Sequence, residues 1–408
     1  MNDQPAGPLT GPLADQPAGP LAGIKVVDMS VMIAGPLAAM MLGDQGASVV
    51  KVEAPGLGDM MRHLGTSKNG MTGIFINNNR GKRSLVIDVK QPAGLDVMRT
   101  LIADADVLIQ NFRPGAMDRI GLGWDAMHEL NPNLIYTSIS GFGPDGPMSG
   151  RRAYDNVIQA ASGLADVQTN PAKGAPELFR TLVCDKTTAY TACQAITAAL
   201  FARAMGKAAG QHIVLSMLDT AIAFLWPDSA MDVALTDDDV DRSPTLASSY
   251  TAIPLADGYA AASAVSESEF AGLCATYGRP DIAEDPRFVG LASRSLHRKE
   301  LSAVLSEAAQ STTVEQFMKG VVEHDVPGTK ITPLSEVHDD PQVINNRVFV
   351  ERKHPVAGMV REPRPAARMS ATPQHIGDHA PTFGQHSDEI VTELGLDASA
   401  LRVAGVIY

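Results

Sequence analysis

Cysteine is scarce in this chain of 408 residues, which contains only Cys184, Cys193 and Cys274. Three cysteines without paired or metal-ligand spacing build neither a disulfide framework nor a zinc site. The sequence also lacks an apolar run of the roughly 20 residues that a membrane span requires, and its first residues contain no apolar signal core. We therefore expect a cytoplasmic protein with no metal and no membrane partner.

Positive charge is in deficit as well, since the formal net charge is −13 at pH 7. A nucleic-acid partner requires a basic surface, so this class of function is disfavoured, although a local basic pocket is compatible with the composition. The chain is otherwise an ordinary globular sequence, 45% hydrophobic and 19% charged. Its length predicts two domains or one elaborated domain.

The first half of the chain alternates between strand-like and helical patterns. Ile24–Asp28 and Ser48–Val52 are strand-like, and between them lies a helical stretch with Pro36 in its first turn. Continued alternation predicts a Rossmann-like parallel α/β sheet covered on both faces. The loop after the first strand has one glycine, Gly35, instead of the three of the dinucleotide fingerprint. A nicotinamide dehydrogenase is therefore disfavoured.

The rest of the chain predicts a second, smaller domain. A Pro/Gly-rich heptapeptide occurs twice in the first 21 residues, which is typical of a flexible tail. Residues 350–383 are rich in Pro and Arg with little apolar periodicity, so they need another surface to lie on. The predicted organisation is a tail at 1–21, a large α/β domain at 22–226, a linker at 227–245, a small α+β domain at 246–335 and a C-terminal return to the large domain at 336–408.

Asp185 precedes a long Ala-rich helical stretch, Lys186–Met205. Apolar residues recur there with the helical spacing of a buried stripe: Ala189, Ala192, Cys193, Ile196, Ala199 and Leu200. The position predicts that Asp185 is the N-cap of this helix. Its carboxylate then serves either as a cap only or, held ionised by the helix N-terminus, as a nucleophile. The stretch alone favours the cap.

Basic residues cluster in three loops near predicted strand ends or near Asp185: Arg80, Lys82 and Arg83; Arg113 and Arg119; Arg151 and Arg152. Each cluster alone is typical of a solvated surface. Three together favour a polyanionic ligand.

An ordered set of short motifs runs from Leu21 to Leu396. The motifs are Leu21–Asp28 with Ala34–Pro36, Gly43–Ala47 with Gly58-Asp59, Asn79–Ser84, Asn111–Gly115, Gly141–Gly143, Asp285–Phe288, Asp340–Gln342 and Gly384–His386. This set resembles the class III CoA-transferases, or CaiB/BaiF family, which includes formyl-CoA transferase and carnitine CoA-transferase and has α-methylacyl-CoA racemases as relatives. The resemblance implies an interlocked homodimer of a large Rossmann-like domain and a smaller α+β domain.

The resemblance also implies a site. Asp185 matches the family's catalytic aspartate, and coenzyme A, brought as acyl-CoA, is the implied ligand. The positions that match CoA contacts are Ile33, Ala34, Asn79, Lys82, Asn111, Phe112, Arg113, Arg119, Arg152, Ala153, Tyr154 and Asp155. Ala54 departs from the pattern, because many relatives carry an arginine there against the nucleotide. No Gly-rich loop like that of formyl-CoA transferase occurs near Ser248–Pro254, which disfavours an oxalate- or formate-like substrate.

The expected function is that of a CoA-transferase of the EC 2.8.3 type, which moves CoA from an acyl-CoA donor to a carboxylic acid through mixed anhydrides and an aspartyl-CoA thioester. With an unperturbed pKa of about 3.9, Asp185 would be ionised at neutral pH without an activating base. Racemases carry a histidine where this chain has Tyr154, and a tyrosine with a pKa of about 10 suits the base role poorly. A racemase and a non-catalytic CoA-binding protein stay as alternatives.

Overall fold

The computed structural model describes residues 19–170, 174–242 and 250–408. Most of the predicted tail, the end of the predicted linker and the first residues of the predicted small domain lie outside these ranges. The chain divides into two compact units. The larger contains the residues up to Ala230 and those from Arg347 to Tyr408, and the smaller runs from Met231 to Asn346.

Strands and helices alternate through the first part of the larger unit. In chain order these are β1 (Lys25–Asp28), α1 (Ala34–Asp44), β2 (Ser48–Glu53), a 3-10 turn (Met60–His63), β3 (Ser67–Lys68), β4 (Met71–Thr72), α2 (Gly73–Asn79), β5 (Lys82–Val86), α3 (Pro92–Ala103), β6 (Val107–Gln110), α4 (Ala116–Arg119), α5 (Trp124–Leu130), β7 (Ile135–Ser140), α6 (Asp155–Ala161), α7 (Leu164–Val167), α8 (Val183–Ala204), β8 (Gln211–Ser216) and α9 (Met217–Ser229).

Six of these strands form one sheet in the order β5-β2-β1-β6-β7-β8, and every neighbouring pair is parallel. The predicted parallel α/β sheet is therefore confirmed. Strand β1 lies between β2 and β6, so the loops that follow these three strands meet at the carboxyl edge of the sheet. This edge is where open α/β sheets bind their ligands.

Consecutive residues of β1 face opposite sides of the sheet, as strand geometry requires. Val26 belongs to an apolar cluster that includes the buried faces of α1 and α8, whereas Val27 packs in a second cluster with α3. Both faces are thus covered by helices. The six residues of the stripe predicted for α8 are all buried in the first of these clusters.

The smaller unit contains a short antiparallel sheet and several helices. Its elements in chain order are β9 (Ile253–Pro254), β10 (Tyr259–Ala262), α10 (Glu267–Thr276), α11 (Asp281–Glu284), α12 (Leu291–Leu296), α13 (Arg298–Gln310), α14 (Val314–Glu323), β11 (Gly328–Lys330), a 3-10 turn (Val337–Asp339) and α15 (Pro341–Asn345). The strand order is β11-β10-β9, and the hairpin predicted there is present. Capping boxes at Ser266 and Thr313 mark the starts of α10 and α14.

The last segment returns to the larger unit as a hairpin of β12 (Phe349–His354) and β13 (Gly358–Pro363), followed by α16 (Ser387–Glu393) and α17 (Ala398–Val403). The sequence pattern indicated only that residues 350–383 need a surface to lie on, and it did not predict this hairpin. Cross-strand ion pairs hold this hairpin, with Arg352 and Glu362 2.7 Å apart and Arg361 and Glu351 2.6 Å apart. Apolar periodicity does not report such pairs.

The C-terminus covers the edge strand β5. The Val86 N–H donates to Ser387 Oγ at 3.0 Å, and the Tyr408 N–H donates to the Val86 carbonyl at 3.1 Å. An unpaired strand edge is thereby satisfied. Within the described residues, no helix combines the length and apolar character needed to cross a bilayer.

Candidate active site

Helix α8 presents Asp185 in its first turn. The helix begins at Val183, and its N-cap is Leu182, which supplies no side-chain hydrogen bond. Asp185 is therefore the third helical residue, and the prediction that it is the N-cap is wrong. The backbone N–H of Ala34, at the start of α1, instead interacts with its carboxylate and lowers its pKa.

Asp155 takes the place at the helix start that the sequence assigned to Asp185. This carboxylate is buried, and its Oδ2 accepts the backbone N–H of Asp185 at 2.9 Å. Its Oδ1 accepts from the side-chain amide of Gln159, whose own oxygen accepts the Phe179 N–H at 2.8 Å. Asp155 thus satisfies a free N–H of α8 and ties the segment before α8 to α6.

The two carboxyl groups interact electrostatically. Burial raises the pKa of Asp185 to about 7, and the negative charge of Asp155 raises it as well, while the Ala34 N–H acts in the opposite direction. The expectation of an ordinary, fully ionised aspartate is therefore wrong, because the unperturbed value ignores burial. The adjacent Cys184 is buried, and its thiol pKa is raised to about 12, so Cys184 is an inert neighbour.

The loop between β1 and α1 carries Ile33 and Ala34 to this place. Both residues are buried, and helix α1 has no side-chain cap at its N-terminus. The N–H groups of its first turn are therefore available to an anion. Asn111, which follows β6, holds the loop: its Oδ1 accepts the Val31 N–H at 2.8 Å, and its Nδ2 donates to the Val31 carbonyl at 2.7 Å.

Two of the residues matched to CoA contacts point into the protein. Lys82 is fully buried, and its ammonium donates to Asp28 Oδ2, the Pro36 carbonyl and Asn79 Oδ1, each at 2.8 Å. Asn79 is also fully buried, and its Nδ2 donates to the Phe75 carbonyl at 3.1 Å. Burial lowers the pKa of Lys82 to about 8 despite the opposing charge of Asp28. All three protons of the ammonium are used inside the fold.

The remaining matched residues lie near the carboxyl edge of the sheet. Phe112 and Arg113 come directly after β6, and Arg119 ends the short helix α4. Arg152, Ala153 and Tyr154 precede α6, and the arginines are exposed. Tyr154 is 65% exposed, and Ala153 packs against the apolar cluster of α8. Three exposed cations and two exposed aromatic rings in the segments that follow β6 and β7 suit a phosphorylated, nucleotide-bearing ligand.

Sequence reasoning missed several residues behind this edge. Lys51 and Asp59 are fully buried and bind the β1–α1 loop, to which the buried Ser30 belongs, and Gln159 positions Asp155. The Gly58-Asp59 pair was part of the motif set, so its position after β2 was a usable signal. In the described ranges no group of three His, Cys, Asp or Glu side chains is arranged to hold a metal ion.

The comparison with known proteins defines the class. The family model described as "CoA-transferase family III" matches residues 21–387 of this chain. Human succinyl-CoA:glutarate CoA-transferase is 33% identical over 377 residues, which cover 91% of this chain and 85% of that protein. Succinate–glutarate CoA-transferase of Agrobacterium fabrum (strain C58 / ATCC 33970) is 32% identical over 383 residues, 91% and 95% of the two chains. The crystal structure of a CAIB/BAIF family protein from Brucella suis is similar with a TM-score of 0.82 at 30% identity, covering 93% of this chain and 100% of that one.

The chain belongs to CoA-transferase family III. It is a CoA-transferase, whose substrates are CoA thioesters and carboxylic acids. This result confirms the resemblance drawn from the motifs and decides between the transferase and the other two functions considered.

Proposed function

We propose that Asp185 is the nucleophile that carries CoA between two carboxylic acids. The observation that supports this role is its place, with the carboxylate against the Ala34 N–H at the uncapped start of α1 and beside the buried Asp155. A carboxylate held between two helix starts is oriented, and burial makes its ionised form more reactive than a hydrated carboxylate.

The first half of the proposed reaction loads the enzyme. A carboxylate oxygen of Asp185 attacks the thioester carbonyl, the C–S bond breaks, and a mixed anhydride and the CoA thiolate form. The thiolate then attacks the Asp185 carbonyl carbon of the anhydride. The bond between that carbon and the bridging oxygen breaks, the donor acid leaves as a carboxylate that keeps this oxygen, and Asp185 is left as an aspartyl-CoA thioester.

The second half reverses these steps with the acceptor. The acceptor carboxylate attacks the aspartyl-CoA carbonyl and releases the CoA thiolate, which gives a new mixed anhydride. The thiolate attacks the acceptor's acyl carbon, the new acyl-CoA forms, and Asp185 leaves as a carboxylate. Each step exchanges one activated acyl bond for another, so the sequence of steps balances without ATP.

Backbone N–H groups at the start of α1 are the proposed oxyanion donors. The Ala34 N–H already stabilises the ionised Asp185 carboxylate, since it lowers the pKa of that group. When that carboxyl carbon becomes tetrahedral, negative charge grows on the same oxygen, so a fixed N–H stabilises the transition state more than the ground state. In this scheme Phe112, Arg113, Arg119, Arg152 and Tyr154 bind the CoA moiety, while the buried Asn79 and Lys82 support the edge from inside.

The substrates we propose are short dicarboxylic acids. The support is the names of the human and Agrobacterium relatives, which act on succinate or succinyl-CoA and glutarate. Incubation with succinyl-CoA and a panel of mono- and dicarboxylic acids, read by mass spectrometry of the acyl-CoA products, tests this assignment. Transfer to monocarboxylic acids alone would contradict it.

Trapping tests the nucleophile. Wild type incubated with succinyl-CoA and then hydroxylamine should acquire a hydroxamate at Asp185, found by peptide mass spectrometry, because hydroxylamine attacks the activated aspartyl carbonyl. Asp185→Ala should lose transfer while still binding CoA, and Asp166→Ala, on the nearby α7, is the matched control. Transfer by Asp185→Ala above a few per cent of wild type would refute the nucleophile assignment.

We also propose that the protein works as an interlocked homodimer. Large apolar side chains are exposed on the single chain, among them Tyr190 and Phe201 on α8 and Phe224 and Trp226 on α9. Apolar surface of this kind marks an interface. Light scattering should give twice the chain mass of 43.0 kDa, with no dissociation on dilution. A monomer would contradict the proposal.

A further inference from the structure

The β1–α1 loop contains a residue in a conformation that its side chain disfavours. Met32 has a φ of 63°, in the left-handed region, where residues other than glycine are uncommon. Two residues further on, Ala34 begins α1 and offers its N–H to Asp185. The turn at Met32 therefore sets where that N–H lies. A disfavoured conformation persists only where surrounding contacts impose it.

The contact that imposes it comes from Asp59. Asp59 Oδ1 accepts the Met32 N–H at 3.1 Å, and the Asp59 side chain is fully buried. The same oxygen accepts the Met61 N–H at 3.0 Å, so Asp59 also caps the 3-10 turn at Met60–His63. A backbone donor of the loop is thus bound by a carboxylate that is itself fixed in a turn.

A buried lysine fixes this carboxylate from its other side. Lys51 Nζ lies 2.9 Å from Asp59 Oδ2, in an ion pair without the alignment of a hydrogen bond, and both side chains are fully buried. Lys51 also donates to the Ser30 carbonyl at 2.9 Å, two residues before Met32. Burial alone would lower the pKa of Lys51, but Asp28 and Asp59 outweigh it and raise the pKa, so the lysine is charged.

The sheet topology explains why the β1–α1 loop is held from both sides. In the sheet, β1 lies between β2 and β6. Asp59 comes from the loop after β2 and binds Met32, and Asn111 comes from the loop after β6 and binds Val31. Neighbouring parallel strands end at the same edge of the sheet, so the loop after β2 and the loop after β6 each supply one side chain that binds the β1–α1 loop between them.

We propose that Asp59 is a positioning residue for CoA transfer: by binding the Met32 N–H it holds the β1–α1 loop in its left-handed turn and so keeps the Ala34 N–H against the carboxyl group of Asp185. Asp59 does not touch the substrate. Its role rests on the proposed function, because it acts through the group on which the covalent intermediates form.

Kinetics of Asp59→Ala provide the first test. Loss of the acceptor frees Met32 to leave the left-handed region, which moves the oxyanion donor away from the reacting carbon. We expect kcat with succinyl-CoA and glutarate to fall by about 10- to 100-fold, the size of a misplaced catalytic contact. The KM values should change far less, because the CoA-binding side chains are untouched. Asp59→Asn keeps an acceptor oxygen for Met32 and should retain most of kcat.

The pH profile separates positioning from a general loss of structure. The groups that act on the Asp185 carboxyl are Asp155, which raises its pKa, and the Ala34 N–H, which lowers it, with the thiol of Cys184 adjacent. If the N–H withdraws in Asp59→Ala, the acid limb of kcat/KM moves to higher pH. Loss of the negative charge of Asp59 would by itself move that limb to lower pH. The direction of the shift therefore identifies the cause.

A glycine at position 32 gives the decisive comparison. Glycine adopts positive φ without a steric cost, so Met32→Gly should restore much of the kcat lost in Asp59→Ala. Neither the cap of the 3-10 turn nor the ion pair with Lys51 would be restored by this change. Thr72→Val is the matched control, since it removes buried hydrogen bonds to Met61 and Phe75 close to Asp59 without touching the loop. It should lower thermal stability and leave the acid limb in place.

Each outcome decides the inference. Should Asp59→Ala fail to fold, Asp59→Ser, which keeps a capping oxygen but is too short to reach Met32, takes its place. Wild-type kcat and an unmoved acid limb in these variants, or a loss that Met32→Gly does not relieve, would overturn the positioning role. Normal trapping of Asp185 alongside that result would leave the nucleophile standing. Transfer by Asp185→Ala would remove the proposed function itself.

Discussion

The carboxylate of Asp155 accepts the backbone N–H of Asp185 at 2.9 Å, which places two acidic side chains at one helix start. A helix N-terminus stabilises negative charge, and here Asp155 takes the direct hydrogen bond. Asp185 is partly buried near the like charge of Asp155, and both effects raise its pKa, whereas the Ala34 N–H lowers it. Its protonation at neutral pH therefore depends on its neighbours.

Activity should follow that protonation. Because the pKa of Asp185 is about 7 in the free enzyme, kcat/KM should fall on the acid side with an apparent pKa near this value, since only the ionised carboxylate attacks. Asp155→Asn removes a charge that raises the pKa, so the acid limb should move to lower pH. Initial rates from pH 5 to 9 measure the acid limb of wild type and of Asp155→Asn. An unmoved limb in Asp155→Asn would show that the two carboxyl groups do not interact.

The burial of Asp185 should also make the free energy of unfolding depend on pH. The pKa of Asp185 rises on folding, from about 3.9 in an unfolded chain to about 7. Between these values the native state binds more protons than the unfolded state, so this group makes the free energy of unfolding fall as the pH rises.

Asp185→Asn removes this dependence. It should be more stable than wild type at pH 8, by on the order of 4 kcal/mol, and the difference should shrink as the pH falls towards 4. Urea unfolding at several pH values measures it. Asp96→Asn, an exposed site on α3, is the control and should show no such trend. Equal stability of wild type and Asp185→Asn at pH 8 would contradict the raised pKa.

Lys82 separates a structural role from a binding role. Its ammonium donates hydrogen bonds to Asp28, Asn79 and the Pro36 carbonyl. Lys82→Met should therefore destabilise the protein by about 3 kcal/mol and leave the Kd for CoA nearly unchanged. Lys25→Met, at an exposed ion pair with Asp104, is the matched control with little expected effect. Calorimetric titration with CoA decides the matter: a large loss of affinity in Lys82→Met would restore the contact implied by the resemblance.

Arg119 should behave in the reverse manner. It is exposed at the end of α4, in the segment that follows β6, so Arg119→Ala should cost little stability but weaken CoA binding by about 1.5–3 kcal/mol, through loss of a charge-assisted hydrogen bond. The wild-type affinity should also decline with salt more steeply than that of the variant. Arg402→Ala, on α17, changes the net charge equally and should bind CoA normally. Equal affinity in both variants would remove Arg119 from the binding site.

The sequence predicted what depends on local periodicity. The parallel sheet and the buried stripe of α8 follow from apolar spacing and are present, and the motif order led to the family. The N-cap of α8 was misplaced because the residue that caps it, Asp155, lies 30 residues away in the chain. Lys82 and Asn79 were matched to CoA contacts by their place in the motifs, and a sequence gives no direction for a side chain. The pKa of Asp185 depends on burial, which only tertiary structure sets.

The tyrosine at position 154 leads to the final prediction. Racemisation of an α-methylacyl-CoA needs an acid and a base on opposite sides of the α-carbon, and at the position of the racemase histidine this chain has Tyr154, which is 65% exposed. An α-methylacyl-CoA incubated with the enzyme in D2O without an acceptor should therefore gain no α-deuterium. Addition of glutarate to a reaction with succinyl-CoA should yield glutaryl-CoA under the same conditions, which controls for active enzyme. Rapid α-deuteration with inversion would show that a base other than Tyr154 reaches the α-carbon.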